Sequence, residues 1–368
     1  MRVLVTGAGG FIGKNLIVHL REKGIESVPF LRGMSLQELA ATLNEVDFVF
    51  HFAGVNRPKD TAEFAEGNTG LTEQLCDLIR ASGRQVPVLY TSSIQAEADN
   101  LYGASKLAAE EALVALERDT RSPVYLYRLP NVFGKWSRPN YNSAVATFCH
   151  NIASDFPIQI NDPSALVRLV YVDDVVNDFL LLLKERPTGI QRPEVSPVYT
   201  ITVGELAEQI RAFKGGRESL VTEAVGTGLT RALYATYLSF LRPEQFSYSL
   251  TAHADARGRF VEMLKTKDSG QSSFVTVHPG ITRGGHYHHT KNEKFLVIQG
   301  KARFGFRHVV TDETYELFAE SEKPEIVETV PGWSHDITNV GDNEMIVMLW
   351  ANEIFDRQKP DTVTYKVR

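Results

Sequence analysis

An α/β doubly wound parallel sheet followed by a smaller all-β domain is the fold class that the sequence predicts. Three observations carry it. The chain opens on a short apolar strand (Arg2–Thr6), a glycine turn and then a helical stretch at 14–23. Strand and helix patterns alternate from there to about residue 245. Beyond Phe246 strand patterns become dense and the helix signal fades. Alternating elements imply parallel strands with crossover helices, whereas a run of strands implies a sandwich or barrel. The expected domains are residues 1–245 and 246–368.

The elements follow in order. After the first helix, residues 26–31 read as a second strand that ends at Arg32. Leu36, Leu39, Leu43 and Val46 recur at helical spacing. Residues 47–52 form a buried strand, and Ala53 and Gly54 let its end approach a ligand. Only about one helix separates these two strands, so the sheet is expected to be trimmed. A helix at 71–80 and a strand at 86–91 running into Ser92 and Ser93 come next. A helix at 104–118 follows, opened by Tyr102.

The first turn carries chemistry. Gly7, Gly10 and Gly13 stand three apart between strand and helix, with Phe11 and Ile12 between them. Such glycines allow a tight turn and close backbone approach, and the helix N-terminus faces the pyrophosphate of a dinucleotide. At the end of the second strand an acidic residue binds ribose hydroxyls and a basic one accommodates a 2′-phosphate. Arg32, with no acid beside it, predicts NADPH over NADH. Tyr102 and Lys106 are four apart and share one helical face. An ammonium beside a phenol lowers its pKa and fits it for proton transfer.

These residues resemble the extended short-chain dehydrogenase/reductases that act on nucleotide sugars. The likeness covers residues 1 to about 245. It rests on Thr6 to Gly13, on His51-Phe52-Ala53-Gly54, and on Thr91-Ser92-Ser93. Tyr102-x-x-x-Lys106, Arg128-Leu-Pro-Asn131-Val-Phe-Gly134 and Tyr171-Val172-Asp173-Asp174 complete it. The resemblance implies that Ser93 is the catalytic hydroxyl, with Ser92 and Thr91 as alternatives. Tyr102 would be the proton donor and Lys106 its partner on the nicotinamide ribose. Asn131 would lie near the sugar or the nicotinamide, and Arg138, Asn142 and Arg168 near the diphosphate. Ser93 and Tyr102 are nine positions apart, closer than in the family, so an open pocket is expected.

The second domain has its own cluster. His286 and His288 alternate on a strand and share a face. Glu293 can return to them, and His335 follows Gly332 at a later turn. Histidines with a carboxylate suit Zn²⁺, Fe²⁺ or Mn²⁺. The stretch resembles the cupin superfamily, a double-sheet jelly roll, through His286-x-His288, Glu293 and Gly300, then Gly332, His335 and Asn339. Asp255-Ala-Arg257-Gly258-Arg259-Phe260 and Arg283-Gly284-Gly285-His286-Tyr287 are also similar to the sugar-nucleotide 3,5-epimerases. That likeness implies His286 as the base beside a ketone, Lys294 as the group stabilising the enolate oxygen, and Arg257 and Arg283 on the substrate. His286 therefore has two candidate roles, metal ligand or base, while the metal set is His286, His288, Glu293 and His335, with zinc expected.

The pairing of the two halves resembles the bifunctional enzymes of bacterial capsule and O-antigen synthesis. It implies a UDP-sugar substrate whose C3 is inverted beside a C4 ketone and whose ketone is then reduced by NADPH. The product would be UDP-2-acetamido-2,6-dideoxy-β-L-talose, on the route to UDP-N-acetyl-L-fucosamine. A homodimer is implied as well. Two alternatives remain at this stage: a simple reductase with a non-catalytic sugar-binding or dimerising β domain, and an NADP-binding regulator. The net charge of −6 argues against broad nucleic-acid binding. No apolar run reaches the ~18 residues of a membrane span. Cys76 and Cys149 form no metal or redox motif, and a strand begins at residue 2 in place of a signal peptide, so a cytoplasmic protein is expected.

Overall fold

A computed structural model describes residues 1–57 and 60–368. They form two compact units, Met1–Ile210 with Thr227–Leu241, and Arg211–Gly226 with Arg242–Arg368. The expected single cut near residue 245 becomes an exchange of segments. Residues 211–226 side with the β unit because Val221 and Thr222 pair in parallel with Lys265 and Thr266.

The first unit is built on a parallel sheet. Its strands are β1 (Arg2–Thr6), β2 (Glu26–Phe30), β3 (Phe48–His51), β4 (Val88–Ser93) and β5 (Val124–Leu129), in the order β2-β1-β3-β4-β5, with Ile190–Gln191 beyond β5. β1, β3 and β4 read as continuous apolar runs because helices cover both faces, and a core lies on each side. β2 is an edge, which is why it tolerates Pro29, a residue with no N–H for a further neighbour. Among the described residues no strand lies beyond β2, so the sheet is trimmed as its short connection predicts. The strand order reverses between β1 and β3, and ligands bind in the crevice at such a point.

Helix α1 (Phe11–Glu22) follows the glycine turn, and Gly10, its N-cap, offers no side chain to the first amides. Gly7 has φ +66, and a Cβ there would lie 2.6 Å from the Ala53 nitrogen. A Cβ on Gly13 would lie 2.4 Å from the Gly7 carbonyl oxygen. Neither position accepts a side chain, so the turn packs against the end of β3. The helix that carries Tyr102 and Lys106 spans Leu101–Thr120, longer at both ends than its sequence pattern, and at its start the Asn100 side chain caps the Gly103 amide.

The second unit is a sandwich of two largely antiparallel sheets. One runs Val221–Thr222, Gly258–Thr266, Gly270–Val277, Met345–Ala351, Glu293–Gln299 and Ile326–Glu328. The other runs Thr314–Glu320, Lys301–His308, Trp333–Asn339, Thr282–Tyr287 and Val363–Thr364. Both sheets feed one core, with Val275, Phe295 and Val347 from the first and Phe304, Phe306 and Ile337 from the second. Among the described residues no helix is long and apolar enough to cross a membrane.

Candidate functional site

The first unit holds a cavity of about 540 Å³ at the carboxyl ends of its strands. Gly7, Gly10, Phe11, Ile12, Gly13, Phe52 and Gly54 line its cradle side. The Ala53 amide donates to the Thr6 hydroxyl at 3.2 Å, which ties the end of β3 to that of β1. Ser93, Tyr102 and Lys106 line the same cavity, as do Asn131, Arg138 and Asn142.

Adjacent serines on β4 part company. Strand alternation turns the Ser92 hydroxyl to the buried Glu110 carboxylate, which Arg128 grips at 2.9 and 2.8 Å. Ser93 is left beside Tyr102, where its hydroxyl acts to lower the phenol's pKa. Lys106 is buried and donates to the Thr91 carbonyl at 3.0 Å. Burial brings its pKa down to about 8, against the opposing pull of Glu110.

The phenol departs from expectation. Burial raises the pKa of Tyr102, and only the Ser93 hydrogen bond acts to lower it. The Lys106 ammonium lies 6.0 Å from the ring centroid and is committed to Thr91, so it does not offset the desolvation. Tyr102 is therefore a protonated phenol at neutral pH, the form that donates.

Other expected residues are more dispersed. Arg138 stacks on Tyr141 at 5.0 Å. Arg32 is exposed, two residues past the end of β2. Arg168 does not line the cavity. Its neighbours Val167 and Leu169 do, and alternation turns the Arg168 side chain to the other face of the strand. Its carbonyl instead accepts from Asn131 at 3.1 Å.

Two groups had not been singled out. Asn68 is fully buried on a π-helical turn, accepts from the Val55 amide at 2.8 Å and donates to Ser105 at 2.9 Å. Such turns are frequent at functional sites, and this one backs the start of the helix that carries Tyr102 and Lys106. Glu110 lies one further i,i+4 step from Lys106, a spacing the sequence could have offered.

In the second unit His286, His288, Glu293 and His335 bring their ligand atoms within 4.8 Å of one another. His286 and His335 stand opposite each other on paired strands. Glu293 opens a strand of the other sheet. Its Oε2 lies 3.4 Å from His288 Nε2 and 3.3 Å from His335 Nε2. Ligands held at about 2.0–2.2 Å around one point sit roughly 3.3–3.6 Å apart along tetrahedral edges, so the set fits a zinc-like ion. The chemistry of the donors agrees. His288 Nδ1 faces the Asp361 carbonyl, which can only accept, so Nδ1 carries a proton. In the neutral ring Nε2 is then a lone pair facing a carboxylate, and a cation between them removes the repulsion.

Electrostatics sharpen this site. Burial alone would raise the Glu293 carboxyl, but the His288 and His335 rings that face it and the nearby Lys291 hold it well below the usual range. Burial, with His335 close by, lowers His286 to about 4, so its imidazole is neutral. The lysine of this site is Lys291, whose side chain is 9% exposed and lies 2.8 Å from Glu293 Oε1. The expected Lys294 lies elsewhere. It follows Glu293 directly on the strand, so alternation turns it outward, 48% exposed and paired with Glu328 at 2.7 Å. Arg257 pairs with Asp255 at 2.6 Å. Arg283 is mostly buried, and its Nε and Nη2 have no hydrogen-bond partner among the described residues.

Comparisons with known proteins agree with this arrangement. Residues 3–196 match the NAD dependent epimerase/dehydratase family, and residues 253–363 match the polysaccharide biosynthesis C-terminal domain. The chain is 61% identical over 368 residues to UDP-2-acetamido-2,6-beta-L-arabino-hexul-4-ose reductase of Pseudomonas aeruginosa, covering 100% of this chain and 99% of that one. It is 41% identical to the capsular polysaccharide assembling protein CapF from Staphylococcus aureus, with a TM-score of 0.93 and complete coverage of both chains. UDP-glucuronic acid 4-epimerase from Bacillus cereus, 17% identical with a TM-score of 0.56 over 65% of this chain and 98% of its own, shares the fold of the first unit's kind. The chain belongs to the NAD dependent epimerase/dehydratase family, its nucleotide-binding half joined in one polypeptide to a polysaccharide biosynthesis C-terminal domain.

Proposed function

We propose that this chain is a bifunctional enzyme acting on a UDP-linked 2-acetamido-2,6-dideoxy-4-keto sugar. It inverts C3 in the β unit and reduces the C4 ketone with NADPH in the nucleotide-binding unit. The observation that carries the reading is the convergence of Ser93, Tyr102 and Lys106 on the cavity beside the glycine cradle. The name of the Pseudomonas aeruginosa relative, a reductase of a hexul-4-ose, supports the ketone.

In the reductase site NADPH supplies the hydride for C4. The chain does the rest. Ser93 holds the C4 oxygen, and Tyr102, kept protonated by burial, gives it a proton. Lys106 holds the nicotinamide ribose and replenishes that proton. Arg138 and Asn142 take the diphosphate. Arg32, just past β2, recognises the 2′-phosphate.

In the β unit the hydrogen at C3 is acidic only while C4 is a ketone, so inversion precedes reduction. His286, the least buried of the cluster, is neutral and accepts the C3 proton, and a proton delivered from solvent to the opposite face of the enolate completes the inversion. His288, Glu293 and His335 hold a divalent metal, which when bound supplies a Lewis acid. Arg283, whose Nε and Nη2 make no hydrogen bond among the described residues while Nη2 lies 3.6 Å from Asp255 Oδ1, and Arg257 bind the diphosphate.

Incubation with a UDP-4-keto-6-deoxy-N-acetylhexosamine and NADPH, followed by NMR of the product, tests the reading. A product reduced at C4 and inverted at C3 is expected. Reduction with C3 retained would leave only a single-function reductase.

A further inference from the structure

The segment that carries Asp361 reaches back across the sandwich to the histidine cluster. Its carboxylate accepts from three successive backbone amides, those of His289 at 2.9 Å, Thr290 at 2.7 Å and Lys291 at 2.8 Å. The Thr290 hydroxyl adds a fourth bond at 3.1 Å. Consecutive amides turned toward one point form a nest for an anion, and here a side chain of the same polypeptide fills it. The backbone carbonyl of the same residue accepts from His288 Nδ1. Two residues later, Val363 and Thr364 pair with Tyr287 and His286. The Tyr365 amide then donates to the Gly285 carbonyl at 2.9 Å. One short strap thus grips the loop on both sides of His288.

A loop between strands has no reason of its own to present the Nε2 of His288 inward. Residues 288–292 lie between strands, and the ring could turn over and offer Nδ1 instead. The strap removes that freedom. A carbonyl accepts only, so it fixes the proton on Nδ1, and the clamp on the following three amides holds the loop at that distance.

We propose that Asp361 is a positioning residue for the metal site: its carboxylate and carbonyl together lock His288 as the Nδ1–H tautomer with Nε2 directed at Glu293 and His335. The inference rests on the metal reading above and extends it to a residue about seventy positions away in sequence.

The full-length protein tests it in two ways. Zinc affinity is measured by chelator competition on wild type, Asp361→Asn and Tyr365→Phe. Asparagine keeps the shape but replaces one acceptor oxygen with a donor that meets the amides. A loss of about tenfold or more in zinc affinity is expected, the usual effect of removing such support. Tyr365→Phe removes a hydroxyl bonded to Asp312 at 3.0 Å, further along the same strap. Its zinc affinity should stay within about twofold, because the loss is remote from the ligands. Separately, long-range proton–nitrogen NMR of the metal-free wild type above pH 7 should show the proton of His288 on Nδ1. Wild-type zinc affinity in Asp361→Asn, an equal loss in Tyr365→Phe, or a proton on Nε2 would overturn the proposal. If Asp361→Asn does not fold, the wild-type spectrum decides alone. If the wild type binds no zinc, the metal reading fails, while the tautomer still judges the strap.

Discussion

Within the nucleotide-binding unit the reactive side chains already have protein partners. Lys106 is bonded to Thr91, Asn68 to Val55 and Ser105, and Ser93 stands beside Tyr102, around a cavity left open for a ligand. In the β unit the opposite holds. A single carboxylate, Glu293, faces His288, His335 and Lys291, and the His335 Nδ1 has no partner among the described residues. The first site is built of side chains that satisfy one another around an open cavity. The second is a set of donor atoms gathered around one point, an arrangement that could hold a metal ion. Self-contained networks position proton transfer, whereas convergent ones bind charge.

The contrast can be broken by mutation. Tyr102→Phe removes the donor of the first site and leaves its packing, so reduction should fall about 10²–10⁴-fold with no loss of thermal stability. NADPH oxidation at the wild-type rate would remove Tyr102 from its role. His286→Asn should act on the other site alone. Exchange at C3 should fall about 10²-fold while stoichiometric metal is retained, read by metal analysis beside NMR. Loss of the metal in that variant would make His286 a ligand and not the base.

Two smaller effects sharpen the reductase half. Lys106 loses its proton as pH rises through about 8, because burial has lowered its pKa from 10.5. The kcat/KM for reduction should therefore decline above that pH. In Lys106→Arg, whatever its rate, the decline should vanish, since guanidinium keeps its proton. A shared decline in both proteins would assign it to another group. The smallest effect is expected at Arg32. Arg32→Ala should lower the preference for NADPH over NADH about tenfold, the worth of one charge-assisted bond. An unchanged preference would leave the 2′-phosphate to other residues.

The sequence was most readable where function follows from regular spacing. The glycine turn, the i,i+4 pair of Tyr102 and Lys106, and His286 with His288 are local patterns, and the fold keeps local patterns local. Alternation also shows why two expected residues stand apart from the side chains they were grouped with. Lys294 adjoins Glu293 on one strand and Arg168 sits between two cavity-lining residues, so each side chain faces away from its neighbours. Lys291 reaches Glu293 from the loop before the strand. The choice of Ser93 over Ser92 needed the position of Glu110, which comes from a helix. Asp361 left no sequence signal, because only the return of a distant strand brings it to His288. The transfer of residues 211–226 to the β unit rests likewise on a two-residue pairing with Lys265 and Thr266.

The central claim is that one chain holds two chemistries, of which only the reduction needs nicotinamide. Full-length Tyr102→Phe, incubated in heavy water with the 4-keto sugar nucleotide and no NADPH, tests it most directly. The proton at C3 is acidic beside the ketone, and the β unit keeps His286, His288, Glu293 and His335 in this variant. NMR should show deuterium entering C3 at the wild-type rate, with no reduction when NADPH is then added. A protein that binds zinc and the sugar nucleotide yet leaves C3 fully protonated would contradict the claim and reduce the β unit to a binding module.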